Sequence, residues 1–135
     1  MKTISSSYIG ELRISSTHIK SGSKIETDAP IDNNGKGTRF SPTDLLAAGY
    51  LTCMITIIGI YCEQNGLAFD KCEGEIEKIM IDSPRRVGAL NIVLDLRSNN
   101  WSDKEKRRVE NAGKNCPVAK SVSPEIEVNI KFLYS

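Results

Sequence analysis

Eighteen consecutive residues, Leu45 to Cys62, carry no charged side chain. A run of that length sits at the lower limit for a helix that crosses a bilayer. It also holds Gly49, Thr52, Thr56 and Gly59, and it is closed by Asp44 and Glu63 rather than by basic anchors. A helix apolar on all sides can equally be the buried axle of a globular domain or of a dimer. That is the expectation here, with no membrane partner. The residues ahead of the run mark its start: Ser41 suits the N-cap, Pro42 the first helical position, and Asp44 the third, where its carboxylate can return a capping hydrogen bond. Gly66 is the stop signal, so the helix is predicted to reach about Asn65.

The segments on either side read mainly as strands. Tyr8 to Leu12 has a turn-like Gly10 between extended runs, and Ser21-Gly22-Ser23 forms a second turn before an extended Lys24 to Thr27. Turn formers then collect in one long loop, Asp28 to Thr38, of the kind that is often functional or mobile. Beyond the helix, Phe69 to Asp82 is a predicted strand and Ser83-Pro84-Arg85-Arg86 a turn. Leu90, Ile92, Leu94 and Leu96 share one face by period two. Ser102 to Glu105 is a second capping box, opening a charged helix to about Asn115, with Trp101 placed for a hydrophobic staple. Glu125 to Phe132 alternates cleanly, which turns Ile126, Val128, Ile130 and Phe132 inward. The sum is an α+β chain, and 135 residues without repeats predict one domain, 1–135.

Composition removes several classes of function. Lys plus Arg number 18 against 17 Asp plus Glu, a net charge of +1, so no global basic field exists to capture nucleic acid. The local clusters Arg85-Arg86 and Lys104 to Arg108 read as solvated faces. The cysteines stand at 53, 62, 72 and 116 with no CxxC pair, and the sole histidine is His18, so no metal site and no cofactor are expected. The first twenty residues lack the pattern of a secretory signal, which predicts a cytoplasmic location and reduced thiols. Taken singly, each cysteine can be core filler, because free cysteine is among the most buried residue types. Cys62 and Cys72 keep that reading, and Tyr50, one turn before Cys53, reads as packing.

Ser41-Pro-Thr-Asp-Leu-Leu-Ala-Ala-Gly-Tyr-Leu-Thr-Cys53 resembles the central-helix motif of the OsmC/Ohr family of peroxide-detoxifying proteins. Asn115-Cys-Pro-Val-Ala-Lys-Ser-Val122, followed by the alternating last strand, is similar to that family's second cysteine motif. The order of the motifs, their separation and the total length also fit, so the resemblance spans essentially the whole chain. It implies an OsmC-like fold, with antiparallel sheets packed around a long buried central helix in an intertwined homodimer. It further implies thiol-dependent reduction of organic hydroperoxides, with Cys53 peroxidatic, Cys116 resolving and an external dithiol as reductant. A non-catalytic relative that binds a small apolar ligand, or senses redox state, is the alternative.

The physical demands on such a site hold whatever the family. Only the thiolate is a good nucleophile, and apolar burial opposes its formation, so a cation or hydrogen-bond donor has to favour it. By resemblance that cation is Arg39, just before the helix, with Arg13 in an early strand as the rival. The family's peroxidases hold their arginine with a glutamate directly after the proline, and Thr43 stands there in this chain. Asp44 is nine residues from Cys53, on the opposite helix face, and its capping role accounts for it. The resemblance is therefore to a divergent member, with slower or narrower peroxidase activity expected.

Overall fold

The serine-rich start of the chain forms an antiparallel meander in the computed structural model, which describes residues 1–135. Strands β1 (Ile4–Gly10), β2 (Arg13–His18) and β3 (Lys24–Asp28) lie in the order β1-β2-β3. The β1–β2 turn passes through Gly10, Glu11 and Leu12, all at positive φ, with an irregularity in register between Tyr8 and Gly10. The Ser6 and Ser16 hydroxyls meet across the strands at 2.7 Å. These elements belong to the first of two compact units, Met1–Leu46, the second being Ala47–Ser135.

What the first unit buries is polar: Thr27, Asp28 and Ser41. Asp28, only 1% exposed, accepts from Arg13 Nε at 2.6 Å and Nη2 at 2.9 Å, and from the Thr38 backbone N–H and hydroxyl at 3.2 and 2.8 Å. A buried carboxylate is tolerated only when its oxygens are satisfied in this way. The predicted loop holds a 3-10 turn at Ile31–Asn33, and a Cβ at Gly35 would stand 1.8 Å from the Ala29 carbonyl oxygen, so that corner requires glycine. The chain then returns beside β3, where Thr27 and Phe40 form a parallel bridge and the Asp28 N–H donates to the Phe40 carbonyl at 3.0 Å. The predicted cap follows: the Asp44 N–H donates to Ser41 Oγ (3.0 Å) and the Ser41 N–H to Asp44 Oδ2 (2.9 Å).

Helix α1 (Pro42–Gln64) starts at that cap and runs on into the second unit. There it is followed by β4 (Glu73–Ile81), β5 (Arg86–Asp95), α2 (Asp103–Lys114), α3 (Pro117–Ser121) and β6 (Glu127–Leu133). β4 and β5 pair antiparallel, with Ile76 opposite Ile92. β6 pairs with β5 in parallel, with Ile92 beside Ile130, so the second sheet is mixed rather than antiparallel. Two helices intervene between β5 and β6, and a helical crossover is what allows a strand to return in the same direction.

The core of this unit is aliphatic. Met54, Ile58, Leu90, Ile92, Leu94, Leu96 and Val109 are all fully buried, which confirms the shared face of β5. Each such side chain contributes about 1.5–3 kcal/mol relative to exposure. Two glycines let α1 approach its neighbours: a Cβ at Gly74 of β4 would meet Leu51, Ile55 and Leu94 at 3.0 Å, and one at Gly113 of α2 would meet Ile58 at 3.0 Å. Within the chain α1 buries one stripe, Ala47, Tyr50, Met54, Ile58 and Cys62, and leaves Thr52, Thr56 and Ile60 exposed. Within one chain α1 is covered along one side, because one sheet and one helix can flank only part of its circumference. By length and composition α1 would also pass as a membrane span, a test that core helices pass as well.

The Ser102–Glu105 capping box is present. The staple is not as expected. The fourth residue of α2 is Lys106, and Trp101 instead stacks on Phe69 with centroids 6.1 Å apart and donates from Nε1 to the Ala68 carbonyl at 2.8 Å.

Candidate functional site

Cys53 and Cys116, separated by two strands and a helix in sequence, come together in the second unit. Tyr50 and Cys53 sit one turn apart on α1, with Tyr50 buried and Cys53 half-buried. Cys116 is extended (φ −67°, ψ 156°), as a residue before proline must be, and Pro117 opens α3. Cys116 is therefore the N-cap of a short helix of its own, just beyond the end of α2. Its Sγ accepts from the Ala119 N–H at 3.4 Å and the residue is 0% exposed. All four cysteines are free thiols.

Burial is the main reason that the Cys116 thiol is pushed up from its usual value. The Ala119 N–H opposes this, a hydrogen bond with the Cys53 side chain and the charge of Cys53 add to it, and the Val118 N–H opposes it again. Burial likewise pushes the Tyr50 phenol up, and the nearby Cys116 sulfur adds to the shift, so Tyr50 stays neutral and packs beside the thiol pair. Cys62 is raised by burial alone. Cys72 is raised by burial and by the carboxylates of Asp95 and Glu73. Neither has a thiol neighbour, and both environments disfavour the thiolate. The arrangement sets one half-buried thiol close to one buried thiol.

The two arginines singled out from sequence belong to the first unit and differ in engagement. Arg13 is committed to Asp28, and its Nη2 also donates to Thr38 Oγ1 at 2.9 Å. Arg39 is half exposed; its Nε donates to Glu26 Oε1 at 3.1 Å and its Nη1 to the Thr38 carbonyl at 3.2 Å. It borders an open cleft of about 350 Å³ together with Pro30, Ile31, Gly37, Ser41 and Asp44. The Thr43 hydroxyl lies 3.3 Å from that of Ser41. Sequence reasoning missed Asp28 and Glu26 as partners of the two arginines. The signal was the β2–β3 register, which sets Arg13 directly opposite Asp28, and no local pattern encodes it.

The OsmC family model, described as OsmC-like protein, matches residues 35–131. Among solved structures, a Psychrobacter arcticus 273-4 protein assigned provisionally to osmotic stress induction and detoxification response is 40% identical. It superposes with a TM-score of 0.93 over 98% of this chain and 96% of that one. An organic hydroperoxide resistance protein OsmC from Legionella pneumophila is 16% identical, with a TM-score of 0.73 over 98% and 97% of the two chains. The organic hydroperoxide resistance protein OhrB of Bacillus subtilis is 17% identical, with a TM-score of 0.66 over 96% of each. These two likenesses establish the fold. An uncharacterized protein of Methanocaldococcus jannaschii is 29% identical over 100 residues, 71% of this chain, and the match spans 53% of that relative's length.

Proposed function

This chain belongs to the OsmC-like protein family, and from that premise we propose that it reduces organic hydroperoxides through Cys53 and Cys116. The observation that carries the reading is the pairing of a half-buried Cys53 with a wholly buried Cys116. The names of relatives that confer organic hydroperoxide resistance support the substrate class.

In this reading the Cys53 thiolate attacks the peroxide O–O bond. The alcohol departs and Cys53 becomes a sulfenic acid. Cys116 then condenses with it, water leaves, and a disulfide stands between them. Two electrons from an external dithiol return the pair to thiols. Burial keeps Cys116 protonated until the sulfenic acid forms, which reserves it for resolution rather than for attack on peroxide. Arg39 is assigned to favour the Cys53 thiolate. Its hydrogen bond to Glu26 supports the role, because β3 supplies the carboxylate that position 43 lacks. The exposed stripe Thr52, Thr56 and Ile60, together with exposed Ile4, Tyr8 and Ile25, favours association with a second copy of the chain. A reducing compartment such as the cytoplasm suits four free thiols.

The test is mass spectrometry of the reduced protein after one equivalent of an alkyl hydroperoxide, with peroxide consumption followed in parallel. A Cys53–Cys116 disulfide formed as the peroxide disappears is the expected result. Thiols left unmodified while peroxide persists would overturn the proposal and favour a non-catalytic ligand-binding role.

A further inference from the structure

The two sulfurs of the pair have unlike surroundings, and this bears on how a disulfide between them is opened. Cys116 is 0% exposed and its Sγ receives the Ala119 N–H. Cys53, by contrast, lies half-buried on α1. Thiol–disulfide exchange needs a thiolate to reach one sulfur and expel the other, so access selects the sulfur attacked and hydrogen bonds to the departing sulfur ease its release. Access here points to Cys53 as the sulfur attacked.

We propose that the external thiol attacks Cys53 Sγ, and that Cys116 is the leaving group, received by the backbone amides at the start of α3. The inference rests on the Cys53–Cys116 disulfide of the proposed function and adds the direction of its reduction. The attacking thiolate forms a new S–S bond to Cys53, the Cys53–Cys116 bond breaks, and its electron pair stays on Cys116, which takes a proton from solvent. The second thiol of the dithiol then attacks the reductant's own sulfur in the mixed disulfide. Oxidised cyclic reductant departs and Cys53 is released as a thiolate. Because burial disfavours the Cys116 thiolate, the freed residue reverts to a neutral thiol and is slow to re-close on the mixed disulfide. The adduct on Cys53 is thereby left for the second thiol of a dithiol.

The experiment uses the full chain, oxidised with one equivalent of an alkyl hydroperoxide or, in a parallel sample, with diamide. A brief pulse of glutathione is quenched by acid and N-ethylmaleimide, and the peptides containing residues 53 and 116 are mapped. Glutathione on Cys53 with maleimide on Cys116, in an excess of about tenfold over the reverse labelling, is expected from the difference in access. Equal labelling, or glutathione mainly on Cys116, overturns the direction while leaving the proposed function standing. Failure of both oxidants to form the disulfide overturns the proposed function and this inference with it.

Discussion

Met1–Leu46 and Ala47–Ser135 exclude water from opposite kinds of chemistry. The first buries Thr27, Asp28 and Ser41 and leaves Ile4, Tyr8, Ile9, Leu12 and Ile25 exposed. The second buries Met54, Ile58, Leu90, Ile92, Leu94 and Leu96 and holds every fully buried aliphatic side chain of the protein. One region is specified by directional bonds to a carboxylate, the other by close-packed volume. The first should therefore respond to protons and the second to methylene groups. The thiol pair lies in the second, where burial disfavours the Cys116 thiolate. The half-exposed Arg39 lies in the first, where Glu26 and the Thr38 carbonyl fix it by hydrogen bonds.

The largest expected effect concerns where the chemistry lies. Cys53→Ser should reduce dithiol-dependent consumption of an alkyl hydroperoxide by at least about 100-fold, since no other thiol has a paired partner. Undiminished turnover would place the chemistry on another residue and overturn the assignment of Cys53. Cys116→Ser should instead complete one turnover and then accumulate sulfenic or overoxidised Cys53, visible as added oxygen mass on the residue 53 peptide.

Packing in the second region is probed by Leu94→Ala. Loss of a fully buried leucine should cost about 2–5 kcal/mol in urea unfolding. A cost under half of that range would show that the aliphatic core collapses around the cavity.

The first region should respond to acid. Arg13 holds the Asp28 carboxyl far below its ordinary value of 3.8, with the Thr38 hydroxyl and N–H assisting against burial. A carboxylate depressed in the folded state contributes stability that is complete above the unfolded value and is lost as pH falls through the folded one. Hydrogen exchange in β2 and β3 should therefore rise as pH drops below 3.8 and continue to rise on further acidification. Asp95 of the second region, held at about 2 by Arg97, titrates in part of the same window, yet it is not buried and the aliphatic core does not depend on it. Asp28→Asn should remove most of the acid response of β2 and β3 while weakening them at neutral pH. An unchanged pH profile would mean that the ion pair does not organise this region.

Smaller effects sharpen the contrast. Ser102→Ala deletes the cap of α2 and should cost about 1 kcal/mol, detectable by thermal unfolding of the second region. Glu26→Gln removes an exposed ion pair of the kind worth about 0.2–1 kcal/mol, so kcat/KM should fall by about fivefold at most. A shift in the pH dependence of kcat/KM, absent from a control such as Lys24→Gln, would distinguish aiming of Arg39 from a purely structural role.

Much of the local structure was legible from the chain. Both capping boxes form as their residues predicted, because a cap depends on side chains three residues apart. The β5 face was readable because period two and burial coincide there. The parallel pairing of β6 was not, since alternation fixes which face a strand shows but not the direction of its neighbour. The separate helix α3 was hidden by its brevity, although Pro117 marked its first position. The two cysteine motifs identified the candidate pair, whereas Tyr50 read only as packing until the structure set its hydroxyl near Cys116.

The sequence alone determined the uncharged helix, its cap, the period-two faces and the two cysteine motifs, because each is encoded within a few neighbouring residues. Tertiary structure alone decided that Cys53 meets Cys116, that Arg13 is committed to Asp28, and that Glu26 holds Arg39. Those choices depend on strand register and helix placement, which arise from packing between segments distant in the chain. The difference in burial between the two thiols follows from the same packing.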